Sequence, residues 1–156
     1  MDRIALELIA RHRLEPHPEG GHYRRIHASA IEVEHNGVRR PASTTIRFLL
    51  AGGECSAWHR VDADEAWHWQ QGGTLELLQF EEGSGEVSRM RLGPPPDGEG
   101  LHCIVPAGSW QSACAAADPV LVVCTVSPGF VWSGFELLDP RSGTAAELQR
   151  LGVVKP

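Results

Sequence analysis

No apolar run in the 156 residues reaches the roughly 18 that a membrane-spanning helix needs, so no membrane partner is expected. The opening stretch, MDRIALELIARHRLE, is charged throughout and lacks the apolar centre of a secretory leader; the expected address is the cytoplasm. Basic residues are in deficit, 14 against 20 acids, for a net charge of −6. Such a chain repels nucleic acid unless its cations cluster, and none is expected as a partner. The clustering is mild: residues 1–47 hold eight Arg against six acids, and the remainder six basic residues against fourteen acids. Solvated faces account for that split; the functional reading is a basic wall in a pocket for an anionic small molecule. Cysteine is scarce. Cys55, Cys103, Cys114 and Cys124 show neither C-x-x-C nor zinc-site spacing. Three of them lie in apolar runs, which predicts reduced, buried thiols in a reducing compartment. Nothing beside them would lower a thiol pKa toward nucleophilic use. There is no nucleotide-binding glycine motif, no internal repeat and no linker, so residues 1–156 read as one domain.

What is present is a globular balance, 42% apolar and 22% charged, in a chain long enough to bury about two thirds of its unfolded surface. Residues 2–13 predict an amphipathic helix, with Ile4, Ala5, Leu8 and Ile9 at helical spacing and Arg11 and Arg13 at its end. Pro16 and Pro18 then forbid helix, and Gly20-Gly21 permits unusual backbone angles. His35-Asn36-Gly37-Val38 is a hairpin signal. Strands are predicted over 44–50, 56–61, 66–71, 75–80, 86–92, 101–105, 109–115, 120–126 and 131–137, mostly separated by Gly, Pro or Asp. Short strands at this spacing imply a β-sandwich or barrel rather than a parallel α/β sheet. Pro94-Pro95-Pro96-Asp97-Gly98 reads as a loop, and 144–151 as a short C-terminal helix.

The densest polar stretch runs from Trp58 to Trp69 and closes at Gly72. His59, Glu65 and His68 within ten residues suit part of a metal site or an acid/base pair, while a polar turn between core strands is the plain structural alternative. His59 near Asp64 or Glu65 would titrate around neutrality. A second stretch, Gly100-x5-Pro106-x-Gly108-x-x-Gln111, is by itself an ordinary hairpin.

Together, Glu65-x6-Gly72 and G-x5-P-x-G resemble the two-part signature of the cupin superfamily. Leu14-Glu15-Pro16-His17-Pro18-Glu19-Gly20-Gly21 with Tyr23-Arg24 resembles the opening of cupin family 5. Ser43-Thr44-Thr45-Ile46 with Phe48-Leu49-Leu50, Trp58-His59-Arg60-Val61 with Asp64-Glu65, Val105 to Gln111, and Val126 to Phe130 match it too. These blocks cover about residues 8–138. The resemblance implies an all-β cupin jelly-roll barrel with an N-terminal helix, an interior pocket for a small-molecule ligand, and a homodimer. A metal-binding cupin supplies H-x-H, Glu and a later His. Here His59 and Glu65 fill two of those positions, while Val61 and Gln111 stand at the others. The expectation is therefore no resident cofactor, with a divalent metal on His59, Glu65 and Gln111 (and His68 as a substitute) as the alternative.

The resemblance extends to metal-free cupins that epimerise nucleotide-linked sugars with a barrel His as base. It implies His59 as base, with Glu65, Glu19 and Tyr23 as the other catalytic candidates. Ligand-binding candidates are His17, Arg25, Thr45, Arg47, Asp64, His68, Trp110, Gln111 and Phe130. Arg25 and Arg47 suit a carboxylate or phosphate, and Trp58, Trp67, Trp69, Trp110 and Phe130 are candidate cavity aromatics. An isomerase or epimerase on a carbohydrate-like ligand is the leading expectation. A non-catalytic binding module and a metal-dependent oxygenase or lyase are its rivals.

Overall fold

A computed structural model describes residues 2–154. Helix α1 (Arg3–His12) leads into β1 (Glu15–Pro16), β2 (His22–Ala28), β3 (Glu32–His35), β4 (Val38–Pro41) and β5 (Thr44–Leu50). There follow β6 (His59–Val61), β7 (Asp64–Gly72), β8 (Leu75–Phe80), β9 (Val87–Leu92), β10 (His102–Val105), β11 (Trp110–Ala115) and β12 (Val120–Ser127). The chain ends with β13 (Phe135–Leu137) and α2 (Gly143–Arg150).

Two antiparallel sheets face each other. One has the order β1-β2-β5-β12-β7-β10 and the other β13-β6-β11-β8-β9, while β3 and β4 form a separate hairpin. This is the all-β jelly-roll that the cupin resemblance implies, within the sandwich-or-barrel class read from the strand spacing, with a helix at each end of the chain. Both helices begin at a side-chain cap: Asp2 accepts the N–H of Ala5, and Ser142 accepts that of Ala145. The β3–β4 turn uses Asn36 and Gly37, both at positive φ, as the Asn-Gly signal predicts. The predicted strands differ from the observed ones mainly at their ends, while β2 (His22–Ala28) is not among those predicted. In 131–137 only Phe135–Leu137 is strand, because Trp132–Gly134 turn as a short 3-10 helix.

Strand alternation sorts the side chains. On β5, Leu50 faces the space between the sheets with Phe48, while Leu49 faces out and packs with Ala5, Leu8 and Leu14 beneath α1. On the far side Trp58, Leu78, Phe80 and Trp110 pack with Leu148 of α2. Between the sheets, Leu50, Trp67, Leu75, Leu77, Leu92, Val120 and Val122 close one end of the barrel. The opposite end stays open. Arg40 is buried there and holds Asp62 through two 2.8 Å hydrogen bonds, tying the β3–β4 hairpin to the β6–β7 turn.

The reduced-thiol expectation is corrected for two cysteines. Cys55 and Cys114 form a disulfide across an isolated antiparallel bridge, 59 residues apart in sequence. Cys114 faces outward on β11, where the turn that carries Cys55 lies against it. Cys103 and Cys124 are free thiols. No helix among the described residues is long and apolar enough to cross a membrane.

Candidate functional site

The open end of the barrel is a cavity of about 410 Å³. Its floor comes from the inward-facing residues of three neighbouring strands: Thr44, Ile46 and Phe48 of β5, Cys124 and Val126 of β12, and Glu65 and Trp67 of β7. The register Thr44–Val126–Glu65 sets these strands level with one another.

Glu19 enters from the turn before β2. His17 N–H donates to the Gly21 carbonyl, and Gly20 N–H to that of His17. Gly20 and Gly21 both have positive φ, and a Cβ on Gly21 would lie 2.7 Å from the Leu49 carbonyl oxygen. The segment before β6 clasps this turn. Glu54 accepts the N–H groups of Gly21 and Ala51, at 3.0 and 2.8 Å, and Ala57 N–H donates to the Glu19 carbonyl at 2.6 Å. A turn carrying Glu19 is thereby fixed against the strand carrying His59.

The polar centre follows from two hydrogen bonds. His59 Nδ1 lies 2.8 Å from the Ala57 carbonyl oxygen, which can only accept, so Nδ1 carries the proton. Nε2 of the neutral ring is then an acceptor, and it lies 3.2 Å from Glu19 Oε2. Burial pushes the Glu19 carboxyl well above its usual pKa, with Glu65 adding repulsion. Burial also pushes His59 down to about 4. Both shifts favour the uncharged forms, with Glu19 Oε2 facing the acceptor Nε2 of His59. His17 Nδ1, which accepts the Glu19 N–H at 3.3 Å, also approaches Glu19 Oε2, at 3.4 Å. Its pKa too is lowered to about 4, by burial and then by His59.

Glu65 is held differently. The Trp67 indole N–H can only donate, and it donates to Gln111 Oε1 at 2.9 Å. That orients the Gln111 amide so that Nε2 donates to Glu65 Oε2 at 2.6 Å. Burial lifts Glu65 to about 7, opposed by the Gln111 hydrogen bond. The Glu65 proton therefore belongs on Oε1, the oxygen that Gln111 does not occupy.

Of the residues singled out from the sequence, His17, Glu19, Tyr23, Arg25, His59, Glu65 and Phe130 line this cavity. Gln111 lies behind it as the partner of Glu65. Thr45 bonds Thr125, Arg47 stands opposite Arg24, and His68 opposite His102, all on the outer face of their sheet. Asp64 accepts the Ala107 N–H in the neighbouring turn. Trp110 bonds Glu82 and packs beneath α2. Trp67 lines the cavity, whereas Trp58 and Trp69 do not. The sequence reading passed over Trp132 and Phe135, which stand at the mouth with Phe130 and His17. A strand predicted straight through 131–137 gave no reason to aim either ring at the cavity, and the turn at Trp132–Gly134 is what places Trp132 there.

The metal alternative meets an obstacle in these bonds. Gln111 uses both ends of its amide, and Val61 lines the cavity where a second His would be needed. Among the described residues no three His, Cys, Asp or Glu side chains gather as a metal-ligand group. As arranged, His59, Glu65 and Gln111 do not form a ligand set for a divalent metal.

A barrel with a polar inner end, an HPEGG turn and the Pro106–Gln111 hairpin fits the family found by comparison. Residues 6–138 match Cupin_5, the cupin superfamily family DUF985. The chain belongs to this cupin family. A hypothetical protein from Leishmania major is 32% identical to this cupin, over 96% of this chain and 95% of the other, with a TM-score of 0.85. A protein from Shewanella oneidensis is 31% identical over 94% and 92%, at 0.83. KdgF from a Halomonas species shares the fold at 18% identity over 76% and 90%, at 0.55. None of the curated proteins matches the chain.

Proposed function

We propose that this cupin binds a small, polar, carbohydrate-like ligand in the open end of the barrel and moves a proton on it without a metal, as an isomerase or epimerase. The observation that carries the reading is the placement of Glu19 Oε2 3.2 Å from His59 Nε2 in a buried pocket. A carbonyl oxygen of the ligand displaces His59 as the acceptor of the Glu19 proton. That frees Nε2 of His59, which removes a proton from the adjacent carbon as the C–H electron pair moves to form the enol. Glu19 supplies the proton on the enol oxygen. The step leaves His59 charged and Glu19 ionised, a pair that attracts within the cavity. Glu65, half protonated near neutrality, is the second acid, and its Oε1 is the donor for returning a proton to carbon. Trp132, Phe130 and Tyr23 offer ring faces and edges at the mouth on which a sugar would stack.

The test is proton exchange in heavy water, followed by NMR on a panel of ketoses, aldoses and uronates. The expected result is deuterium at the carbon beside the carbonyl of at least one of them. His59→Ala should abolish exchange while leaving binding within about threefold. A sugar that binds without exchanging in the wild type makes the protein a binding module and overturns the catalytic reading.

A further inference from the structure

Two arginines line the cavity, Arg24 and Arg25, and neither has a part in the proton transfer; Arg24 donates to the Arg13 carbonyl. Arg25 lies on β2 level with Ile46 of β5, on the side of the sheet that faces the cavity. Immediately after it the β2–β5 register slips, leaving Ile26 without a partner. An irregularity of this kind bends a strand and re-aims the side chains beside it, and such features gather near active sites. Several other arginines of the chain meet carboxylates, among them Arg39 with Glu32, Arg40 with Asp62 and Arg60 with Glu136, while Arg11, Arg13, Arg24, Arg47 and Arg150 have no ion pair among the described residues. Arg25 makes no ion pair and no side-chain hydrogen bond among the described residues, although Glu15 lines the same mouth.

Deeper in, burial raises the pKa of both cavity carboxyls, Glu19 and Glu65, which disfavours their charged forms. Burial pushes the Glu19 carboxyl well above its usual pKa and lowers His17 and His59 to about 4. Arg25 is exposed at the mouth, where its guanidinium can meet an anionic group of a ligand whose other end lies in the cavity. Its planar fork matches the two oxygens of a carboxylate or phosphate. A cavity of about 410 Å³ lies in the usual range for small-molecule sites.

Building on the proton-transfer reading, we propose that the ligand is an anionic sugar derivative whose carboxylate or phosphate pairs with Arg25 at the mouth while its reacting carbon lies at His59. Binding at a non-reacting group fixes the carbon against the base, which is how remote contacts serve catalysis.

The experiment is calorimetric titration of the wild type, Arg25→Gln and Arg25→Lys with D-glucuronate, D-glucose 6-phosphate and D-glucose at pH 6.5. The wild type should bind at least one anion about ten- to hundredfold more tightly than glucose. Arg25→Gln should erase that preference with an unchanged melting temperature, and Arg25→Lys should keep part of it. Preference for glucuronate assigns a carboxylate, and preference for glucose 6-phosphate a phosphate. Equal binding of all three, binding of none, or a preference that survives in Arg25→Gln overturns the proposal. Arg25-dependent anion binding with no deuterium exchange keeps this subsite and removes the catalytic reading. Exchange on a neutral sugar, unaffected by Arg25→Gln, does the reverse.

Discussion

At the scale of single residues, the buried acids and imidazoles pull stability in opposite directions as pH changes. Glu65 titrates at about 7 against an ordinary value of 4.5. Between those values the folded chain holds a proton that the unfolded chain has lost, so this group's contribution falls as pH rises from about 4.5 to 7. His17 and His59 titrate at about 4 against 6.5. There the unfolded chain binds the extra protons, and their contribution falls as pH drops from 6.5 to about 4. Glu65→Gln removes the first of these opposing trends. Relative to wild type, the variant should gain on the order of 2–3 kcal/mol between pH 4.5 and pH 7.5, read from urea unfolding at the two pH values. Gln111→Leu removes the hydrogen bond that favours the Glu65 carboxylate. The Glu65 pKa should then rise above its wild-type value, and carbon-13 NMR of the Glu side chains will show whether it does.

The elements that matter most for the site are the two least regular ones, the turn from His17 to Gly21 and the segment from Ala51 to Ala57. Neither contains a strand or helix, yet Glu54 and the Ala57–Glu19 hydrogen bond clamp them together. Gly21 is where this clamp tolerates least change. Its φ of +71° disfavours any side chain, and a Cβ would press on the Leu49 carbonyl. Gly21→Ala should cost at least about 2 kcal/mol in urea unfolding. In the proposed function it should also lower deuterium exchange beyond what the stability loss explains, because Glu19 shifts away from His59. Exchange that persists at the wild-type rate would separate the turn from catalysis. The sequence marked the turn through its prolines and glycines. It did not mark Glu54, because that carboxylate acts through backbone groups 33 residues away at Gly21.

Across the whole molecule, the Cys55–Cys114 disulfide joins the clamping segment to β11, the strand that carries Gln111. Both halves of the polar centre thus hang from one covalent link. Closing a loop of 59 residues restricts the unfolded chain. Cys55→Ser with Cys114→Ser, or full reduction, should therefore cost about 2–4 kcal/mol, measured by denaturant unfolding with and without reductant. Unfolding curves that coincide under the two conditions would show that the link carries no stability.

The sequence alone determined the alternation of short strands, both terminal helices, the Asn-Gly hairpin and the ordered blocks that place the chain among cupins. All of these are local patterns, written in periodicity and turn residues over a few positions. It also marked His59, Glu65 and Glu19 as the polar residues of interest. Tertiary structure decided which polar residues meet. Period-two alternation turns Thr45, Arg47 and His68 outward only once the sheet's inner face is fixed by packing. The same packing brings Glu19 to His59 across 40 residues and turns Gln111 into the partner of Glu65. It also pairs two cysteines whose spacing resembles no motif. Burial, which sets the protonation of Glu19, His59 and Glu65, is a property of the closed barrel and of no segment of the chain taken by itself.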